Sequence, residues 1–170
     1  ARHPAHHTIR YHSFVGIVLA IVKKKIIIAV NSTFNLINHH IGLINGLLDG
    51  GYEVVAISPT DEFASRLKEL DCHHVPLQME RKGTNIGQDL LLFWRYRTML
   101  RQYMPDIYLG FTAKPNIYGS LAAQSLGIPV INNISGLGTV FGAMSTSLVG
   151  NLLSRLLRVL YRFALLRSDR

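Results

Sequence analysis

The stretch Pro105–Gly142, PDIYLGFTAKPNIYGSLAAQSLGIPVINNISGLGTVFG, decides the fold. Ile107–Gly110 and Pro129–Asn132 are short apolar segments that read as buried strands, and Asn116–Leu126 between them reads as a helix. A polar or glycine-bearing loop follows each strand. The order is that of a βαβ unit with parallel strands. In such sheets ligands gather outside the carboxyl ends of the strands, where the following helices present N–H groups that lack partners. The loops Phe111–Pro115 and Asn133–Thr139 are therefore the expected ligand edge.

The chain upstream keeps the same rhythm. Ile26–Val30 is a continuous β-branched run, the mark of a strand covered on both faces. Asn31, Ser32 and Thr33 follow, and a helix is expected from Leu36 to Leu48, stopped by Gly50 and Gly51. Glu53–Ile57 is the second expected strand. Thr60 or Asp61 then caps a helix running to Leu70, and His73–Leu77 is a third strand. The polar loop Gln78–Gly87 leads into a long helix, Gln88–Tyr103. Downstream of Gly142 a final helix spans Leu148–Leu166. Alternating strands and helices of these lengths give an α/β domain, a Rossmann-like doubly wound parallel sheet.

Composition narrows the class. The 170 residues are 48% apolar and 16% charged, which suits one folded domain and excludes a disordered chain. The formal charge of +8 and a pI near 9.9 favour anionic partners. Cys72 is the single cysteine, so an internal disulfide, a thiolate cluster and a redox pair are all excluded, as fits a cytosolic protein. Residues 1–22 differ from the rest: His3, His6, His7 and His12 follow no period, and the apolar run Phe14–Val22 is shorter than the ~20 residues a spanning helix needs. Lys23–Lys25 is not a small-residue cleavage site. Residues 1–22 are read as an extension and residues 23–170 as the domain.

No dinucleotide fingerprint follows the first strand, and no nucleoside-triphosphatase loop occurs. The phosphate-cradling candidate is Gly136-Leu137-Gly138-Thr139, whose glycines allow N–H donors to converge. Arg81 and Lys82, in a strand-to-helix loop with Gly83, Thr84 and Asn85, set two cations beside a helix N-terminus. Lys114 and Asn116 flank Pro115 at the opening of the central helix, placing a charge and an amide at the ligand edge. His39 and His40 lie early in the first helix, where one ring can meet a ligand. No metal-ligand spacing is present. Arg155, Arg158 and Arg162 share one face of the last helix among leucines, Val159 and Phe163, a pattern that suits either an anionic membrane surface or packing on the sheet.

From Lys23 onward the chain resembles the N-terminal half of bacterial family 4 glycosyltransferases of the GT-B fold. The residues that carry the resemblance are Phe34–Asn38, Met79–Asn85, Lys114–Gly119 and Asn132–Thr139, in that order. It implies a two-domain enzyme with its active site between facing Rossmann-like domains. This chain would be the acceptor half, and the donor-binding C-terminal domain would be absent from it. The expected acceptor is an undecaprenyl-diphosphate-linked sugar at the cytoplasmic face of the bacterial membrane, in capsule, O-antigen or glycoprotein glycan assembly. The donor is a UDP-sugar held mainly by the second domain, and no cofactor or metal is implied. Asn35, His40, Arg81, Lys82, Lys114, Asn116, Gly136, Gly138 and Thr139 are the expected substrate and phosphate contacts, with no catalytic base named. Relatives commonly carry an arginine near the position of His40. A non-catalytic module that binds a lipid-linked sugar or a partner subunit is the alternative. A nucleic-acid role finds no motif and no aromatic residues interleaved with the basic ones.

Overall fold

The computed structural model describes residues 23–67, 69–80, 85–134 and 148–166. Five parallel strands form one sheet: β1 (Lys25–Ala29), β2 (Glu53–Ser58), β3 (His73–Pro76), β4 (Ile107–Phe111) and β5 (Val130–Asn133), in the order β3-β2-β1-β4-β5. The order reverses between β1 and β4, which pair from Ile26 with Ile107 to Ala29 with Gly110. That switch point is where open α/β sheets leave a crevice at their carboxyl edge.

The β-branched runs explain why the sheet needs cover on both faces. Successive side chains of a strand point to opposite sides. Ile27, Ala29, Val55, Ile57 and Val75 turn toward α3 (Ile86–Tyr103), α4 (Ser120–Gln124) and α5 (Leu148–Leu166), where they meet Leu92, Tyr96, Leu100, Ala122 and Tyr161. Ile26, Ile28, Val30, Val54 and Ala56 turn the other way. There they lie under Leu36, Ile37 and Ile44 of α1 (Thr33–Asp49) and Leu67 of α2 (Ala64–Leu67). Each fully buried Ile or Leu of these two layers contributes about 1.5–3 kcal/mol. The doubly wound reading is thus borne out.

Three local readings change. The first helix begins at Thr33 rather than Leu36, because the Ser32 hydroxyl accepts the Asn35 N–H at 3.2 Å and so caps it. The second helix is one turn, Ala64–Leu67, instead of a helix to Leu70. Asp61, read as a possible cap for it, accepts the N–H of Phe63 at 3.0 Å through Oδ1. Its Oδ2 turns to α1, where it accepts from Thr33 N at 2.9 Å and Phe34 N at 3.3 Å. The helix of the central unit opens earlier than Asn116, as a π-helical turn over Pro115–Gly119 that runs into α4. The Tyr108 hydroxyl donates to the Pro115 carbonyl at 3.0 Å, and a Cβ on Gly119 would overlap that hydroxyl. The wide turn makes room for a buried tyrosine, and only glycine fits beside it.

Candidate functional site

Asn35, His40, Lys114 and Asn116 all fall at the carboxyl edge of β1 and β4, as the sequence predicts, but they do different work. Asn35 is half-buried in the first turn of α1, its Nδ2 donating to Asn31 Oδ1 at 3.1 Å. His40 stands slightly more than a turn further on and packs on Phe111, the last residue of β4, with ring centroids 4.1 Å apart. Burial, with the neighbouring His39, lowers its pKa below the ordinary 6.5, so the ring favours its neutral form.

Lys114 precedes the π-helical turn and points at α3. Its ammonium donates to Asp89 Oδ1 at 2.7 Å, and the Tyr118 hydroxyl donates to Asp89 Oδ2 at 3.0 Å. The pair is secluded, with 13% of the lysine side chain and 7% of the aspartate side chain exposed. Burial first, then the Asp89 charge, raises the Tyr118 pKa far above its usual value, so the phenol stays a donor. Neither Asp89 nor Tyr118 is among the residues picked from sequence. An acid in the first turn of a helix reads as a favourable partner of the helix dipole, and only the packing of α3 on the π-helical turn reveals its partner.

Asn116 is fully enclosed. Its Nδ2 donates to the Asn133 carbonyl at 3.0 Å and lies 3.4 Å from the Tyr161 hydroxyl, so it ties the end of β5 and α5 to the site. Ser120 donates to Asn132 Oδ1 at 2.7 Å beside it. Asn116 Oδ1 and Asn132 Nδ2 are buried without a hydrogen-bond partner among the described residues. Both side chains crowd Gly110, where a Cβ would come within 2.7 Å of each amide oxygen. Thr112 has φ +69°, rare for a β-branched residue, and its Oγ1 is likewise buried and unpartnered.

Two concavities flank the Lys114–Asp89 pair. A polar one of about 320 Å³ is lined by Gln78, Met79, Glu80, Gln88, Leu91, Leu92 and Arg95 together with the pair itself. An apolar one of about 290 Å³ is lined by Leu90 and Phe93 of α3, Leu121 of α4, and Leu156 and Leu160 of α5, with Ile86, Asp89 and Tyr118. Asp89 borders both. Arg155, Arg158 and Arg162 are exposed on α5, next to the exposed Leu156, Val159 and Phe163. Arg81, Lys82, Gly136, Gly138, Thr139 and residues 1–22 lie outside the described residues.

A buried chain of hydrogen bonds borders the β2 side. Thr33 Oγ1 donates to the Pro59 carbonyl at 2.7 Å and therefore accepts from Ser58 Oγ at 3.0 Å. Ser58 in turn must accept from His74 Nε2, 2.9 Å away. This polarity leaves Ser58 without an activating base, and with Asp61 on the first N–H groups of α1, the loop after β1 is self-satisfied. Among the described residues no group of His, Cys, Asp or Glu could hold a metal, and no helix is long and apolar enough to cross a membrane.

Solved structures share this fold. MurG of Acinetobacter baumannii is 22% identical with a TM-score of 0.53, over 64% of this chain and 33% of that one. A glycosyltransferase from Rickettsia africae is 18% identical with a TM-score of 0.55, over 65% of this chain and 29% of that one. The UDP-GlcNAc 2-epimerase of Neisseria meningitidis, solved bound to UDP-GlcNAc, is 17% identical with a TM-score of 0.54, over 78% of this chain and 38% of that one. The chain thus spans about a third of the length of these proteins. No curated protein sequence matches it. The family described as glycosyl transferase 4-like matches residues 25–170. With most of its length matched, the chain belongs to that family, and its Rossmann-like parallel sheet is the fold that these structures share.

Proposed function

We propose that this domain is the acceptor-binding half of a glycosyltransferase that moves a sugar from a nucleotide sugar, a UDP-sugar, to a lipid-linked saccharide in cell-surface polysaccharide assembly. The observation that carries this reading is the sharing of Asp89 by a polar cavity and an apolar groove. A ligand that is polar at one end and hydrocarbon at the other meets both at once. The exposed Arg155, Arg158 and Arg162 beside apolar side chains of α5 suit an anionic, peripheral membrane position at the cytoplasmic face.

In this reading Arg81, Lys82 and the Gly136-Leu137-Gly138-Thr139 loop meet the diphosphates, where cations and N–H donors offset the charge of acceptor and leaving group. Asn35, His40 and Lys114 line the acceptor side, and Asn116 holds its floor. The nucleotide sugar is the co-substrate, held mainly by a second domain, and no cofactor or metal takes part. The test is a calorimetric titration of the chain with a water-soluble polyprenyl-diphosphate sugar and, separately, with UDP-sugars. Saturable binding of the first with little response to the second is the expected result; binding of UDP-sugars alone would overturn the acceptor assignment.

A further inference from the structure

The polar cavity beside Lys114 carries a more specific message than its lysine alone suggests. Its described lining holds two carboxylates, Glu80 and Asp89, and two cations, Arg95 and Lys114, so its formal charge cancels. Lys114 is already bonded to Asp89 at 2.7 Å, and Asp89 is fixed from its other side by Tyr118. Gln88, with its amide nitrogen turned toward Glu80, donates to that carboxylate at 2.8 Å. The Arg95 guanidinium lies 3.5 Å from the Gln78 carbonyl. A diphosphate entering here would sit against two carboxylates, and the one secluded cation would have to leave its partner to meet it.

An uncharged polyhydroxylated ring makes neither demand. Each sugar hydroxyl both donates and accepts. The ammonium has three N–H donors, of which Asp89 takes one, and each carboxylate has about four acceptor positions. The amides of Gln78 and Gln88 add one donor–acceptor set each, while Met79, Leu91 and Leu92 supply apolar surface for the C–H face of a ring. A volume of about 320 Å³ is at the small end of ligand pockets, which run from ~300 to ~1,000 Å³.

We infer that the cavity between Gln78–Glu80, the first turns of α3 and Lys114 is a subsite for a neutral sugar ring, and that Lys114 there serves hydroxyl groups rather than phosphate. Asp89 and Tyr118 are positioning residues for that lysine. The inference rests on the proposed lipid-linked saccharide as the natural ligand, the ring being its sugar and the diphosphate lying outside this cavity.

The experiment follows the backbone amide signals of the isotope-labelled chain by NMR. The probes are methyl glycosides of glucose, galactose, N-acetylglucosamine and rhamnose, then inorganic pyrophosphate, then the water-soluble polyprenyl-diphosphate sugar. At least one glycoside is expected to shift Gln88, Asp89 and Lys114 saturably, with an affinity nearly unchanged by salt, because a neutral glycoside carries no charge to be screened. Replacing the exposed Gln88 by Ala should weaken it about tenfold, the cost of hydrogen bonds to a polar ligand. Pyrophosphate shifting those residues with no glycoside doing so overturns the subsite, as does silence at those residues toward every glycoside. If the lipid-linked sugar binds but shifts other residues, the subsite fails and the acceptor reading stands. If a glycoside binds in the cavity and the lipid-linked sugar does not bind at all, the subsite stands and the acceptor reading fails.

Discussion

The ammonium of Lys114 and the carboxylate of Asp89 meet at 2.7 Å across the seam between α3 and the π-helical turn, almost sealed from water. Removing one partner strands the other in a poorly solvated place. Asp89→Ala and Lys114→Ala are each expected to cost about 3 kcal/mol. The double variant Asp89→Ala/Lys114→Ala should cost clearly less than the sum. Urea unfolding of the four proteins measures this, and additive losses would show that the pair is not coupled.

Gly119 is expected to tolerate no side chain. A Cβ there would collide with the hydroxyl of Tyr108, itself fully buried and edge-on to Tyr96 with ring centroids 6.2 Å apart. Gly119→Ala should lose about 3 kcal/mol. Adding Tyr108→Phe should restore part of that loss, which a thermal-melting comparison would reveal.

Thr112 should behave in the opposite way. Its φ of +69° is costly for a β-branched residue, and its hydroxyl is buried unpaired among the described residues. Thr112→Gly relieves both and is expected to raise stability by about 1 kcal/mol, even after the entropy that glycine loses on folding. A lower melting temperature in the variant would mean that the hydroxyl is held by a group we have not assigned.

Mild acid should weaken the fold through two histidines. Burial lowers the pKa of His40 and of His74 below 6.5, with Ser58 and Asp61 pulling His74 partly back up. Between 6.5 and the folded-state pKa values the unfolded chain takes up protons that the folded chain refuses. Stability is therefore complete above pH 6.5 and declines as the pH falls through that interval. Melting temperatures from pH 7.5 to pH 5 should show the decline, and His74→Gln should shrink it.

Anionic vesicles should retain the domain through α5. Each exposed arginine near such a surface contributes about 1 kcal/mol, so replacing Arg155, Arg158 and Arg162 together by Ala should weaken binding to phosphatidylglycerol vesicles about a hundredfold. Co-sedimentation measures this. Equal retention of both proteins would assign the face to another role.

How much of this could be read from the chain depends on how local the cause is. Ile26–Val30 and Ile107–Gly110 announce strands because apolar β-branched runs between turn residues have few other uses, and the doubly wound sheet follows from their alternation with helices. The placement of Lys114 at the ligand edge was equally legible, from Pro115 behind it. Its partner was not. Asp89 lies 25 residues away, and no period links them; the contact exists because parallel topology lays α3 against the turn after β4. The same holds for Asp61, whose carboxylate serves a helix that begins 28 residues earlier. The widened turn at Pro115–Gly119 has its origin in the hydroxyl of Tyr108, a residue of the preceding strand. Enclosure of Asn116 is likewise a product of packing, since its partners come from β5 and α5.

The carboxylate of Asp61 on the first N–H groups of α1 has a consequence for every ligand-binding assay on this domain. A helix start that waits for a phosphate is bare whenever the phosphate leaves, and its stability then follows ligand concentration. Here the counter-ion is carried by the chain itself, in the loop after the neighbouring strand β2, and is present at any ligand concentration. The start of α1 is capped with and without ligand, so a shift in melting temperature caused by a phosphate-bearing compound reports on contacts other than these N–H groups.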